Sequence, residues 1–274
     1  MTQRQPSTLI LPVAGLGTRM RVIDPALPKE LLPLGHARVI DFALSEARYA
    51  NIQDVIVILR PGKERLLDHL NQNQGPYRLH IVWQDQPRGE VDALLQAWNP
   101  SPEASHVRDL LNHPVAVLYP DNIGHPSPGM LQQVCKAFQT TGCDTLALMR
   151  VTPENAPGIG NSGRIELASE NTTMADPVQS IPIAAFHPKG TGPFPLTRRG
   201  ELRTCGLFVT LPHFFEYAEQ VRQTGFHGEL TDGKVRRAML QKGVPFQGVP
   251  LQGTVYDVGN PTGYGQLQTL LRHG

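Results

Sequence analysis

Cysteine is scarce and poorly placed for cross-linking: Cys135, Cys143 and Cys205 are odd in number and show no Cys-x-x-Cys spacing. That pattern speaks against a disulfide framework or a zinc knuckle, and a reducing cytoplasm is the expected home. Long apolar runs are also missing. Nowhere do about eighteen apolar residues follow one another, and Met1 to Ser7 is polar, so neither a membrane span nor a secretory leader is expected. Excess charge is absent too, with a formal net charge of +1 over 274 residues. A protein that binds nucleic acid or an anionic membrane broadly needs a basic footprint, so neither partner is expected and any positive field must be local. Apolar and charged content are ordinary for a globular chain, and the length suffices for one α/β domain or two small ones.

What is present begins with a short apolar run, Thr8 to Val13, that reads as a buried strand. Ala14-Gly-Leu-Gly-Thr-Arg-Met20 must turn sharply at its carboxyl end. Gly15 and Gly17 permit that turn and let backbone N–H groups approach a polyphosphate, while Thr18 adds a hydroxyl and Arg19 a cationic fork. The loop therefore reads as an anion cradle. Two better-known glycine loops do not fit it. A dinucleotide fingerprint wants glycine where Met20 stands, and a Walker loop ends in Gly-Lys-Ser/Thr.

Downstream, Val39 to Ala50 carries apolar residues at helical spacing, and Val55 to Leu59 is a continuous apolar run closed by Pro61-Gly62. A helix from about Lys63 to Asn71 and a strand from Leu79 to Trp83 follow. Polar Asn99 to Pro114 leads to a strand at Val115 to Tyr119, then a helix over Met130 to Thr140 and a strand over Thr145 to Val151. Leu202 to Val209 reads as a late strand, and His213 to Thr224 and Thr231 to Lys242 as helices. Alternating strands and helices predict a mainly parallel sheet covered on both faces, with functional loops at its carboxyl edge.

The loop Ala14 to Met20 together with Pro28-Lys-Glu-Leu-Leu-Pro-Leu34 resembles the signature of the sugar-phosphate nucleotidyltransferases, and within them of the bacterial UTP–glucose-1-phosphate uridylyltransferases. A glycine loop joined to a Pro-Lys-x-x-Leu-Pro box at this spacing is specific, and further matches extend over most of the chain. The resemblance implies an α/β, Rossmann-like nucleotide-diphospho-sugar transferase fold, a mixed and mainly parallel sheet flanked by helices. It implies one domain over residues 1–274, with a nucleotide-binding half to about residue 143 and an acceptor-binding half beyond it. The implied reaction joins an NTP, UTP first, to a phosphorylated small-molecule acceptor, glucose 1-phosphate first, releasing pyrophosphate. Mg²⁺ is the implied cofactor, and a homo-oligomer is compatible with the family.

Residue by residue, the resemblance makes Arg19 and Lys29 the catalytic cations and Ala14, Gly15, Gly17 and Thr18 the nucleotide cradle. Gln84, followed by Gly89, corresponds to the base-reading segment; one amide offers the donor and acceptor that a uracil or thymine edge requires. The chain continues Gly89-Glu-Val-Asp-Ala93, which departs from the uridylyltransferases' Gly-Leu-Gly-His-Ala toward the purine-using relatives. Pro120-Asp121-Asn122-Ile123 matches the metal-binding turn, and Asp257-Val-Gly-Asn260 with Gly263-Tyr264 supplies the second metal ligand, Asp257. Taken singly, Gln84 reads as a loop residue, Asp121 as a turn residue and Asp257 as a helix cap.

On the acceptor side, Gly160 corresponds to the glycine that lies against the sugar, Gly206 matches a late-strand glycine, and Glu229-Leu-Thr-Asp232 matches Gln-Leu-Thr-Asp. Here the pattern breaks. Where the family has Glu-Lys-Pro, this chain has Phe186-His187-Pro188-Lys189, so a carboxylate for sugar hydroxyls is absent and the phosphate's cation must come from His187, Lys189 or the Arg198-Arg199 pair. Asn171 to Glu201, rich in Pro, Gly and Thr, is expected to leave the sheet as an acceptor lid. Two alternatives stay open: a nucleotidyltransferase for another phosphorylated acceptor, and a non-catalytic nucleotide-binding regulatory homologue.

Overall fold

The computed structural model describes residues 5–86, 88–160, 163–168, 180–190, 194–197, 199–225 and 229–273. In chain order these form β1 (Thr8–Pro12), β2 (Pro33–Leu34), β3 (Ala37–Arg38), α1 (Val39–Tyr49), β4 (Asp54–Leu59), α2 (Glu64–Gln72) and β5 (Arg78–Trp83). Then come α3 (Glu90–Trp98), α4 (Val107–Leu110), β6 (Val115–Leu118), β7 (Asn122–His125), α5 (Met130–Thr141) and β8 (Asp144–Val151). The rest is β9 (Ile165–Leu167), β10 (Ile181–Phe186), β11 (Glu201–Thr210), α6 (His213–Gln223), α7 (Asp232–Gln241), β12 (Phe246–Pro250), β13 (Thr254–Asp257) and α8 (Pro261–His273).

Among the described residues the main sheet has nine strands in the order β5-β4-β1-β6-β11-β8-β12-β10-β9. Strands β5, β4, β1 and β6 pair in parallel, as do β8 and β12, whereas β11 and β10 run against their neighbours. The sheet is thus mixed and mainly parallel, with its reversals confined to the second half. Period-two alternation divides each central strand between two cores: Leu9, Leu11, Val55 and Val57 face α1, α2 and α5, while Ile10, Ile56, Ile58 and Val117 face α3, α6 and α7. Burying both faces explains why these strands read as unbroken apolar runs.

Asn171 to Glu201 does not lie wholly outside the sheet. Ile181–Phe186 forms β10, pairing antiparallel with β12 and β9, because Ile181, Ile183 and Phe186 turn inward while Pro182 and Ala184 are exposed. Asn171 to Gln179 lie outside the described residues, as does Arg198. A smaller core of Met20, Leu32, Leu34, Ile123, Val258, Tyr264 and Leu267 seats the first loop on α8. No described helix is long and apolar enough to cross a membrane.

Candidate active site

The parallel strands β1, β5 and β6 end on one edge, and the loops that follow them carry Ala14 to Arg19, Gln84 and Asp121. Strand β11 runs the other way, so pairing Leu207 with Leu118 carries Arg203 to Gly206 beyond the end of β6, onto that same edge. Only Gly17 needs left-handed backbone in the first loop, with φ at 62°, and a Cβ there would stand 3.3 Å from Lys29 Cγ. Gly15 differs: its φ lies outside that region and a Cβ would meet nothing within 4 Å. It leaves room at the cleft rather than making the turn.

In the Pro28–Leu34 box successive side chains diverge. Glu30 is buried and accepts from Lys63 Nζ at 2.9 and 2.8 Å, while Lys63 also donates to the Val13 carbonyl. That buried pair ties the loop, the box and the start of α2 together. Lys29 points into the cleft and donates to Asp121 Oδ2 at 2.6 Å. Burial opposes its charge, yet Asp121, Glu30 and Asp257 together hold its pKa above the ordinary lysine value. Burial likewise pushes Asp121 up, but Lys29 and Arg19 outweigh it and keep the carboxyl below the usual range. Asp257 is raised by burial and by the negative charge of Asp121.

The two carboxylates are brought together by β7 and β13, whose antiparallel register sets Asp257 opposite Asn122 and lets Val258 N–H donate to the Asp121 carbonyl at 2.8 Å. Asn260 Nδ2 donates to the Asp257 carbonyl at 2.9 Å and the Gly158 carbonyl at 2.7 Å, and Asn260 Oδ1 accepts from Gly263 N–H at 2.9 Å. A Cβ on Gly259 would fall 2.6 Å from Asp121 Oδ2 and 3.0 Å from Asp257 Oδ1, so the space between the carboxylates is kept clear. Among the described residues no group of three or more His, Cys, Asp or Glu could hold a metal. A closed protein cage therefore does not fit, whereas two carboxylates suit a hard cation that retains waters and takes phosphate oxygens. His125 ends β7, the strand that follows the Asp121 turn.

At the other end of the cleft, Gln84 is buried and its Nε2 donates to Asp92 Oδ2 at 2.7 Å. A carboxylate can only accept, so Asp92 fixes which way the amide points, and Gln84 Oε1 takes no partner among the described residues. Asp92 was not singled out from sequence; its signal was an acidic side chain in the first turn of α3, a helix over Glu90–Trp98 that the sequence reading did not assign. Gly89, at φ 117°, is required by crowding, since a Cβ would lie 2.6 Å from Glu229 Cγ and 3.1 Å from the Leu230 carbonyl.

On the acceptor side, His187 and Lys189 are exposed at the cleft rim, and Phe186 is packed edge-on against Phe246 with centroids 5.0 Å apart. Gly206 allows the Asp121 turn to approach, for a Cβ there would meet Asn122 Nδ2 at 2.7 Å and Tyr119 Cβ at 2.8 Å. Gly160 does not line the cleft, but its carbonyl accepts from Arg203 Nη1 at 2.5 Å. Of the glycines in that segment it is Gly163, at φ 68°, that packs tightly: a Cβ would lie 2.2 Å from the Thr204 carbonyl oxygen. Arg203 is the second residue that sequence reasoning passed over.

Together these residues wall a cleft of about 890 Å³ that brings Gly15, Gly17, Thr18, Arg19, Lys29, Gln84, Gly89, Asp121 and Asp257 into one space with His187, Lys189 and Gly206. The profile of the nucleotidyl transferase family matches residues 8–272. The chain belongs to this family. A UTP–glucose-1-phosphate uridylyltransferase of Staphylococcus haemolyticus is 24% identical, covering 95% of this chain and 90% of that protein. A protein of the same description from Bacillus subtilis is 26% identical, covering 93% and 87%. Among solved structures, a UDP-glucose pyrophosphorylase in complex with UDP-glucose has a TM-score of 0.74 at 22% identity, covering 97% of this chain and 98% of that one. A UTP-bound UGPase from Acinetobacter baumannii has a TM-score of 0.72 at 21% identity, covering 96% and 92%. The family makes the chain an enzyme of the nucleotidyl-transferring type, and the solved structures share its Rossmann-like fold.

Proposed function

We propose that the enzyme joins UTP to a sugar 1-phosphate, glucose 1-phosphate first among them, giving a UDP-sugar and pyrophosphate. The observation that carries this reading is the meeting of Lys29, Asp121 and Asp257 opposite a fixed Gln84 in one cleft. The relatives named for UTP and glucose 1-phosphate support the same substrates.

Such a transfer needs no protein nucleophile. The acceptor phosphate attacks the α-phosphorus in line, and the protein's task is to hold like-charged groups together and neutralise the charge that develops. In this reading the loop amides and Arg19 hold the outer phosphates, Lys29 turns from Asp121 toward the crowded centre, and Gln84 Oε1 accepts from N3–H of uracil. Asp121 and Asp257 would hold Mg²⁺ at the cleared space beside Gly259, where the ion would supply charge neutralisation at the phosphates. His187 and Lys189 stand at the acceptor's entry. A second reading, another phosphorylated acceptor, is favoured by Phe186, whose ring is buried where it offers a ligand no polar atom.

The test is a Mg²⁺-dependent pyrophosphate-release screen of UTP, dTTP, CTP, ATP and GTP against a panel of sugar 1-phosphates. The reading requires UTP with glucose 1-phosphate to head the table. Turnover with no pair would leave a binding protein in place of an enzyme.

A further inference from the structure

Among the described residues two buried cations of the acceptor half line the cleft, Arg203 and Arg236, and Arg236 is engaged by Asp232 Oδ2 at 2.9 Å. Arg203 is only 5% exposed in the wall of that cleft, whereas His187, Lys189 and Arg164 are exposed at its rim. Its strand position explains this. Arg203 pairs with Met149 of β8 on the stretch of β11 that runs past the end of β6, and the register shifts between Thr204 and Phe208, the interval that holds Gly206. Two contacts help to fix the side chain. Nη1 donates to the Gly160 carbonyl at 2.5 Å, and the guanidinium lies 4.8 Å from the centroid of the Phe194 ring.

The surroundings place a fixed cation between the reaction centre and the acceptor half. Asp257 and Arg203 line the one cleft, and Asp257 lies within electrostatic range of the Arg203 guanidinium. Burial lowers its pKa to about 10, which leaves it fully charged at neutral pH. A flexible, hydrated lysine at the rim must be ordered before it can bind, while a pre-set planar fork matches a phosphate or carboxylate without that cost. Phe186, which lines the same cleft, offers an acceptor an apolar ring and no hydroxyl contact.

We propose that Arg203 binds the acceptor's phosphate and is the main anion contact of the acceptor half, with Gly160 and Phe194 as the residues that position it. This rests on the acceptor being a phosphorylated small molecule, as proposed above.

The experiment compares wild type with Arg203→Gln, Arg203→Lys and Phe194→Leu, using UTP and glucose 1-phosphate. Arg203→Gln is expected to raise the acceptor's KM by about 30-fold or more with the KM for UTP changed less than about threefold. Arg203→Lys should recover part of the loss, because it keeps the charge but not the fork, and Phe194→Leu should give a smaller rise. Should Arg203→Gln not fold, the partial defect of Arg203→Lys decides. A merely structural arginine would instead shift both KM values together, or lower the melting temperature with no change in their ratio, and either result overturns the proposal. So does a larger acceptor defect on removing His187 or Lys189 than on removing Arg203. If wild type turns over no NTP and sugar-phosphate pair, the substrate reading fails on its own. Calorimetric binding of inorganic phosphate then judges Arg203: binding to wild type that is lost in Arg203→Gln upholds it, and equal or absent binding refutes it.

Discussion

Lys29 Nζ and Asp121 Oδ2 stand 2.6 Å apart, joining the box after the first loop to the turn after β6. Each sustains the other's charge against burial, and the pair occupies the oxygen that the nucleotide site would offer to a cation. Substrate entry must therefore exchange this ion pair for contacts to phosphate. Lys29→Ala is expected to lower kcat by about a hundredfold or more, a loss of several kcal/mol in transition-state stabilisation. Lys29→Arg should not restore it, since the stem lies 3.3 Å from where a Cβ of Gly17 would stand and a planar fork is wider than an ammonium. A change in the KM for UTP alone would make the lysine a ground-state anchor.

Removing either carboxylate should be at least as severe. Asp121→Asn and Asp257→Asn each lose a charged oxygen, and turnover should fall roughly a thousandfold with the fold intact by circular dichroism. Near-normal turnover in either variant would end the metal assignment.

Two glycine substitutions should separate chemistry from folding. Gly259→Ala puts a methyl 2.6 Å from Asp121 Oδ2 and 3.0 Å from Asp257 Oδ1, atoms at side-chain ends that can swing aside. Activity and apparent Mg²⁺ affinity should drop about tenfold or more while the melting temperature hardly moves. Gly163→Ala instead meets the Thr204 backbone oxygen at 2.2 Å from a backbone at φ 68°, and should cost about 2 kcal/mol or more of stability. Equal melting temperatures for the two variants would contradict the packing described.

Base selection offers a test of Asp92. With the Gln84 amide nitrogen held at 2.7 Å by a carboxylate, the oxygen is left for a base that donates. Asp92→Asn can donate as well as accept, so the Gln84 amide can turn round. Activity with UTP should fall by about tenfold, and the preference for UTP over CTP should narrow, as expected for about one hydrogen bond. Unchanged ratios in a competition assay would remove Asp92, and with it Gln84, from base reading.

A pH signature follows from His213, whose Nε2 lies 2.6 Å from Asp144 Oδ2 and whose pKa the Asp144 hydrogen bond raises above 6.5. A raised histidine stabilises the fold fully below its unfolded pKa and loses that contribution as pH climbs through the folded value. The melting temperature of wild type should exceed that of His213→Gln at pH 6, and the gap should shrink toward pH 9. A gap that widens with pH would reverse the assignment.

By itself the sequence determined whatever depends on neighbours along the chain. Apolar runs placed β1, β4, β5 and β6, and glycines and prolines marked the loops that end them. Asp257-Val-Gly-Asn260 with Gly263 was legible through its resemblance to a family motif, and that motif is local: Asn260 folds the turn onto itself through bonds three residues away. Tertiary structure alone decided the rest. Asp92 gains its meaning only when α3 packs beside the end of β5, and Arg203 only when a reversed β11 carries it past β6, because pairing across a sheet is set by burial and register between segments far apart in sequence. The same cause brought Ile181–Phe186 into the sheet: its alternation of buried and exposed residues was written in a segment rich in proline and glycine, and needed the edge of β12 to become a strand.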